Sequence, residues 1–116
     1  MLAAALLAPL VLPTFRDITT SAKIAFKNKA SHTRREHLPE TMGAGVAIFD
    51  YDNDGRIDLF FVTGAALQDP MMSGKLPEKS DPRYWDRLYH NNGDGTFTDV
   101  TEAAGVRGRF LALLAP

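Results

Sequence analysis

Asp50-Tyr51-Asp52-Asn53-Asp54-Gly55-Arg56-Ile57-Asp58-Leu59 is the stretch from which the rest of the chain is read. Its four carboxylates all fall on alternating positions, and a glycine follows the third. That pattern suits a calcium ion, a hard cation that takes six to eight oxygen ligands at about 2.3–2.6 Å. A short loop meets the demand when its acidic side chains converge, and the glycine allows the sharp turn that brings them together. Asp50, Asp52, Asp54 and Asp58 are the expected carboxylate ligands. Arg56 is expected to add its backbone carbonyl alone, its side chain pointing outward. An ordinary polar turn is the competing reading, because Asp, Asn and Gly favour turns. It accounts for one or two of these residues but not for a carboxylate comb ending at Asp58.

The flanks fix the setting of the loop. An EF-hand shares the D-x-D-x-D-G opening, but it needs a glutamate at loop position twelve and a helix on each side. Position twelve is Phe61. Gly45-Val46-Ala47-Ile48-Phe49 leads in and Ile57-Asp58-Leu59-Phe60-Phe61-Val62 leads out. Both are short and rich in β-branched and aromatic residues, which reads as strand on either side. Strands are expected at about 45–50 and 57–63, then at 87–91 and 96–100. The last two form a hairpin across the turn Asn92-Gly93-Asp94-Gly95. Thr101-Glu102-Ala103-Ala104-Gly105 reads as one helical turn closed by glycine. Residues 64–86 hold Pro70, Pro77 and Pro82 with Gly64 and Gly74, so they read as an irregular insertion whose end Tyr84 and Trp85 pin to the sheet.

A second pattern lies further out. Phe15-Arg16-Asp17-Ile18-Thr19-Thr20-Ser21-Ala22-Lys23-Ile24 recurs as Phe97-Thr98-Asp99-Val100-Thr101-Glu102-Ala103-Ala104-Gly105-Val106. The same structural edge is expected to be built twice. The resulting expectation is an all-β fold: one four-stranded antiparallel blade over 44–106, with an N-terminal edge motif and linker over 14–43.

Composition bounds the function classes. The chain has 116 residues, thirteen basic and fourteen acidic, which suits one modest domain with no global field toward nucleic acid or anionic membrane. Lys23, Lys27, Lys29, Arg34 and Arg35 read as a solvated loop. There is no cysteine, hence no disulfide or thiol chemistry. Residues 1–13 are apolar and uncharged, too short for a membrane span but suited to the core of an export signal. Residues 107–116 form an atypical tail without an acidic residue. His32, His37 and His90 share no metal-ligand spacing and are expected at exposed or edge positions. No nucleophile motif and no phosphate loop occurs, so no catalysis is expected.

The segment from Gly43 to Phe60 resembles the FG-GAP/VCBS repeat of integrin-alpha-type β-propellers. Leu88-Tyr89-His90-Asn91-Asn92-Gly93-Asp94-Gly95-Thr96-Phe97-Thr98-Asp99-Val100-Thr101 is similar to the segment that closes such a unit. With Leu38-Pro39-Glu40-Thr41-Met42-Gly43 in front, the chain looks like the ASPIC/UnbV group related to cartilage acidic protein. The resemblance implies that Asp50, Asp52, Asp54 and Asp58 hold calcium in one blade of a seven-bladed ring. It also implies export to the periplasm, cell surface or medium, and binding or adhesion to a surface protein or carbohydrate. A single comb is present where the family has several, so the chain reads as the opening fragment of a propeller, prone to self-association through open blade edges. An accessory propeller of a larger hydrolase-type enzyme and a non-functional remnant are the alternatives.

Overall fold

The structure is a computed structural model that describes residues 11–35, 44–70, 72–75 and 77–108. Four strands carry it: β1 (Gly45–Phe49), β2 (Asp58–Val62), β3 (Arg87–Asn91) and β4 (Phe97–Asp99). They lie in chain order in one sheet, and each neighbouring pair is antiparallel. Helix among the described residues is limited to α1 (Thr101–Ala104) and a 3-10 turn at Pro82–Tyr84. The fold is therefore all-β, as the strand-like flanks of the comb require.

The strands are shorter than their apolar runs because polar side chains claim the backbone at their ends. β1 stops at Phe49, since the carboxylate of Asp50 already accepts N–H groups from within the following loop. Ile57 stays outside β2, its carbonyl accepting from Asn91 Nδ2 at 3.0 Å. Thr96 stays outside β4 because both its N–H and its hydroxyl donate to Asp94 Oδ1. Such local side-chain bonds compete with the ladder for the same backbone.

Register then decides which residues meet. Phe49 pairs with Asp58, so residues 50–57 are forced into one closed loop. Leu59 pairs with Tyr89, which sets His90 opposite Asp58 one step along. Side chains alternate between the faces of a strand. Phe61 and Tyr89 consequently share a face, with ring centroids 5.8 Å apart and edge-on. Phe26 stacks on Phe61 at 4.6 Å, so the N-terminal segment covers that face. Phe97 N–H donating to the Ala22 carbonyl, and Lys29 N–H donating to Thr63 Oγ1, fasten the segment at both sides. Behind the sheet, Leu88 is buried and its N–H donates to the hydroxyl of the fully buried Thr101.

Among its described residues the insertion is irregular apart from one bridge, Ala66 to Glu78, and the 3-10 turn. It ends on a buried ion pair, Lys79 Nζ to Asp86 Oδ1 at 2.6 Å. Tyr84 is buried, while Trp85 lies against the guanidinium groups of Arg107 and Arg87, 4.5 and 5.6 Å from its ring centre. Lys23, Lys27, Lys29, Arg34 and Arg35 are exposed. Of the apolar start only residues 11–13 are described, and of the tail only 107 and 108. Leu38–Gly43 and His37 also lie outside the described residues.

The two similar segments share a backbone pattern. In the first, Ala22 N–H donates to Ile18 O, Lys23 N–H to Thr20 O and Ile24 N–H to Thr19 O. In the second, the corresponding bonds run from Ala104 to Val100, Gly105 to Glu102 and Val106 to Thr101. Asp17 Oδ1 accepts from Thr19 N–H as Asp99 Oδ1 accepts from Thr101 N–H. Each turn ends in the left-handed region, Lys23 at φ 60° and Gly105 at φ 70°. Glycine takes that conformation freely, whereas lysine takes it at a steric cost. The copies differ in front of the turn: Phe97 lies in β4, but Phe15 is 98% exposed and outside any strand.

Candidate metal centre

The loop between β1 and β2 is built by its own carboxylates. Asp50 Oδ2 accepts from Gly55 N–H at 2.8 Å and Asp50 Oδ1 from Asp54 N–H at 3.1 Å. Asp52 Oδ1 accepts from the same Asp54 N–H at 3.3 Å, and Asp54 Oδ1 from Arg56 N–H at 2.8 Å. These bonds curl the chain tightly enough to need φ 61° at Asn53 and φ 83° at Gly55. Glycine is the residue that accommodates the second of these without strain. The N–H of Gly55, pointed at Asp50, holds that carboxyl below the usual carboxylate range despite some desolvation.

Asp58 anchors the loop to the sheet. Its side chain is fully buried, and each oxygen takes a backbone N–H: Oδ2 from Tyr51 at 3.1 Å, Oδ1 from Asn91 at 2.7 Å. One carboxylate thus ties the start of the loop to the end of β3. Asn91 reciprocates through its side chain, donating to Ile57 O and accepting from Gly93 N–H at 2.9 Å.

The comb resolves into two groups that share Asp52. Asp50, Asp52 and Asp54 each offer an oxygen within 4.8 Å of the others. Asp52 and Asp58 do the same with His90. The structure does not gather all four aspartates into a single cluster of that size; Asp58 sides with the histidine.

Two side chains depart from expectation. The Arg56 side chain does not point outward: it folds back, its Nη2 2.5 Å from Asp54 Oδ2. It also packs over the neighbouring hairpin turn, where a Cβ added to Gly93 would meet Arg56 Cδ at 3.2 Å. The cause is electrostatic, since a cation beside three converging carboxylates lowers their mutual repulsion. His90 belongs to the site although no spacing in the sequence pointed to it. Its Nδ1 lies 3.4 Å from Asp52 Oδ2 and 3.4 Å from Asp58 Oδ1, and its Nε2 lies 3.7 Å from Asp54 Oδ2. The β2–β3 register, which sets His90 opposite Asp58, is what places it there. Tyr51 meets the His90 ring edge-on at 6.0 Å. Partial desolvation and then the charges of Asp52, Asp58 and Asp54 push the Tyr51 hydroxyl above its usual range. His32 is exposed, in line with the expected exposed or edge position.

Chemically the loop is a set of hard oxygen donors, and hard oxygens are what calcium and magnesium take. The convergence of Asp50, Asp52 and Asp54 fits such an ion, with the Arg56 guanidinium as its competitor for Asp54. Comparisons of the chain with protein-family models, curated proteins and solved structures find no match.

Proposed function

We propose that this chain is a calcium-binding β-propeller blade of the FG-GAP/VCBS kind, in the ASPIC/UnbV group, serving binding or adhesion rather than catalysis. The observation that carries the reading is the convergence of oxygens from Asp50, Asp52 and Asp54 in a loop between antiparallel strands. Asp50, Asp52 and Asp54 supply carboxylates, the Arg56 carbonyl adds a neutral oxygen, and Asp58 closes the set from the first residue of β2. The four-stranded sheet in chain order and the two turns with matching hydrogen bonds support the blade architecture. Calcium here holds a hairpin in shape.

Calcium modules outside the cell bind with dissociation constants on the order of 10⁻⁴–10⁻³ M. About 1 mM calcium should then stabilise the fold by roughly 0.4–1.4 kcal/mol through mass action. A thermal melt with and without calcium reads this, and an unchanged midpoint would count against the proposal. Arg56→Met should raise calcium affinity about two- to fivefold, because it removes a half-exposed charge pair worth up to about 1 kcal/mol. Weaker calcium binding in that variant would show that the guanidinium helps the site.

Export to the periplasm, cell surface or medium belongs to this reading, as does a surface protein or carbohydrate partner. Recovery of the chain from the cytoplasm alone on cell fractionation would contradict the export. No described helix is long and apolar enough to cross a membrane. β1 is exposed along its whole length, with Val46, Ile48 and Phe49 at 57, 65 and 43%. In a ring that strand and its apolar residues pack on a neighbour; alone they form an open edge. Sedimentation at rising concentration should show self-association, and a strictly monomeric chain would argue that β1 needs no partner.

A further inference from the structure

We propose that the Asp58 end of the loop is a binding site for a divalent transition-metal ion of the zinc type, held by Asp52, Asp58 and His90. Three observations converge on it. His90 Nδ1 is fully buried and has no hydrogen-bond partner, which leaves a nitrogen lone pair or N–H unsatisfied against two carboxylates. A buried polar atom in that state costs free energy unless something meets it. Asp58 is a completely buried carboxylate whose sole ion-pair partner among the described residues is that same histidine. Its hydrogen bonds among the described residues come from neutral backbone N–H groups, and no described lysine or arginine offsets its charge. A buried charge without a permanent counter-charge is the environment that a cation relieves.

The third observation is metric. Ligand atoms about 2.0–2.1 Å from a tetrahedral ion stand about 3.3–3.4 Å from one another. His90 Nδ1 stands 3.4 Å from Asp52 Oδ2 and 3.4 Å from Asp58 Oδ1. Each of those oxygens keeps a lone pair for the ion. Among the described residues Asp52 Oδ2 accepts no hydrogen bond, and Asp58 Oδ1 accepts one while a carboxylate oxygen has two lone pairs. The Asp52 side chain is 35% exposed, which leaves water access for the remaining coordination position. Imidazole nitrogen with carboxylate oxygen is a donor set for zinc-like ions, whereas calcium takes oxygen alone. The site shares Asp52 and Asp58 with the calcium reading, but it rests on His90 and stands or falls apart from it.

Zinc titration of the full chain by calorimetry tests it, with His90→Gln as the paired variant and calcium titrations of both proteins alongside. The expected result is one zinc ion bound with micromolar affinity, weakened at least about tenfold in the variant, as loss of a ligand requires. The calcium titration of the native chain reads the oxygen-ligand site separately. No zinc binding by the native chain, or equal zinc binding by both proteins, overturns the inference whatever calcium does. Zinc binding without calcium binding leaves the inference standing and removes the calcium reading. Nitrogen-15 NMR of the native chain covers the case in which the variant does not fold. Zinc should shift the His90 Nδ1 resonance and leave Nε2 protonated, and an unmoved Nδ1 would overturn the assignment.

Discussion

Asp58→Ala is expected to remove most or all of the cooperative stability of this fold, in calcium-free buffer as well as with calcium. The carboxylate is fully buried and accepts backbone N–H groups from Tyr51 in the β1–β2 loop and Asn91 at the end of β3. Truncation strands both donors, at about 1–3 kcal/mol for each that stays dry. Roughly 2–6 kcal/mol is then lost from a domain class whose total is about 5–15 kcal/mol. The buried apolar set is small here, with Ala22, Ala65, Tyr84, Leu88 and Tyr89 at its centre, so little reserve exists. Asp58→Asn should fall between, since its amide oxygen satisfies one N–H while its NH₂ opposes the other. Urea unfolding followed by circular dichroism measures both. A midpoint within experimental error of the native chain would show that the bracing role is wrong.

Asp86→Ala should rank second. Asp86 Oδ1 accepts from Lys79 Nζ at 2.6 Å and from Thr63 N–H at 3.0 Å, at the junction of β2, the insertion and β3. The Lys79 side chain is 3% exposed, so the variant leaves an ammonium buried without its partner. Breaking such a pair from one side costs about 3–5 kcal/mol, whereas replacing both members with apolar residues is often neutral. Lys79→Met combined with Asp86→Leu should therefore recover a large part of the loss. Recovery stays incomplete because Thr63 N–H still lacks its acceptor. If the double variant is no more stable than Asp86→Ala, the cost lies in the Thr63 bond and not in the charge.

The sheet was largely legible because its determinants are local. Phe61 at the twelfth loop position excluded an EF-hand, and the β-branched flanks of the comb gave β1 and β2 to within a residue or two. The site was legible only in part. Asp50, Asp52 and Asp54 meet within one short loop, so their spacing sufficed. His90 meets Asp58 through a register set across residues 63–86, which no spacing rule reaches. Arg56 was misplaced because an outward side chain is the default in a loop, and the pull of three carboxylates outweighed that default. The two turns with matching hydrogen bonds were visible as a repeated sequence. The exposed Phe15 was not, since a strand needs a neighbour to pair with as well as a pattern.

Whether the comb binds calcium is read by calorimetric titration of the full chain with calcium. Saturable binding is expected, with a dissociation constant on the order of 10⁻⁴–10⁻³ M. Asp54→Ala, which removes one of the three converging carboxylates, should abolish the binding signal. No binding by the native chain at millimolar calcium, or undiminished binding by Asp54→Ala, would contradict the calcium reading.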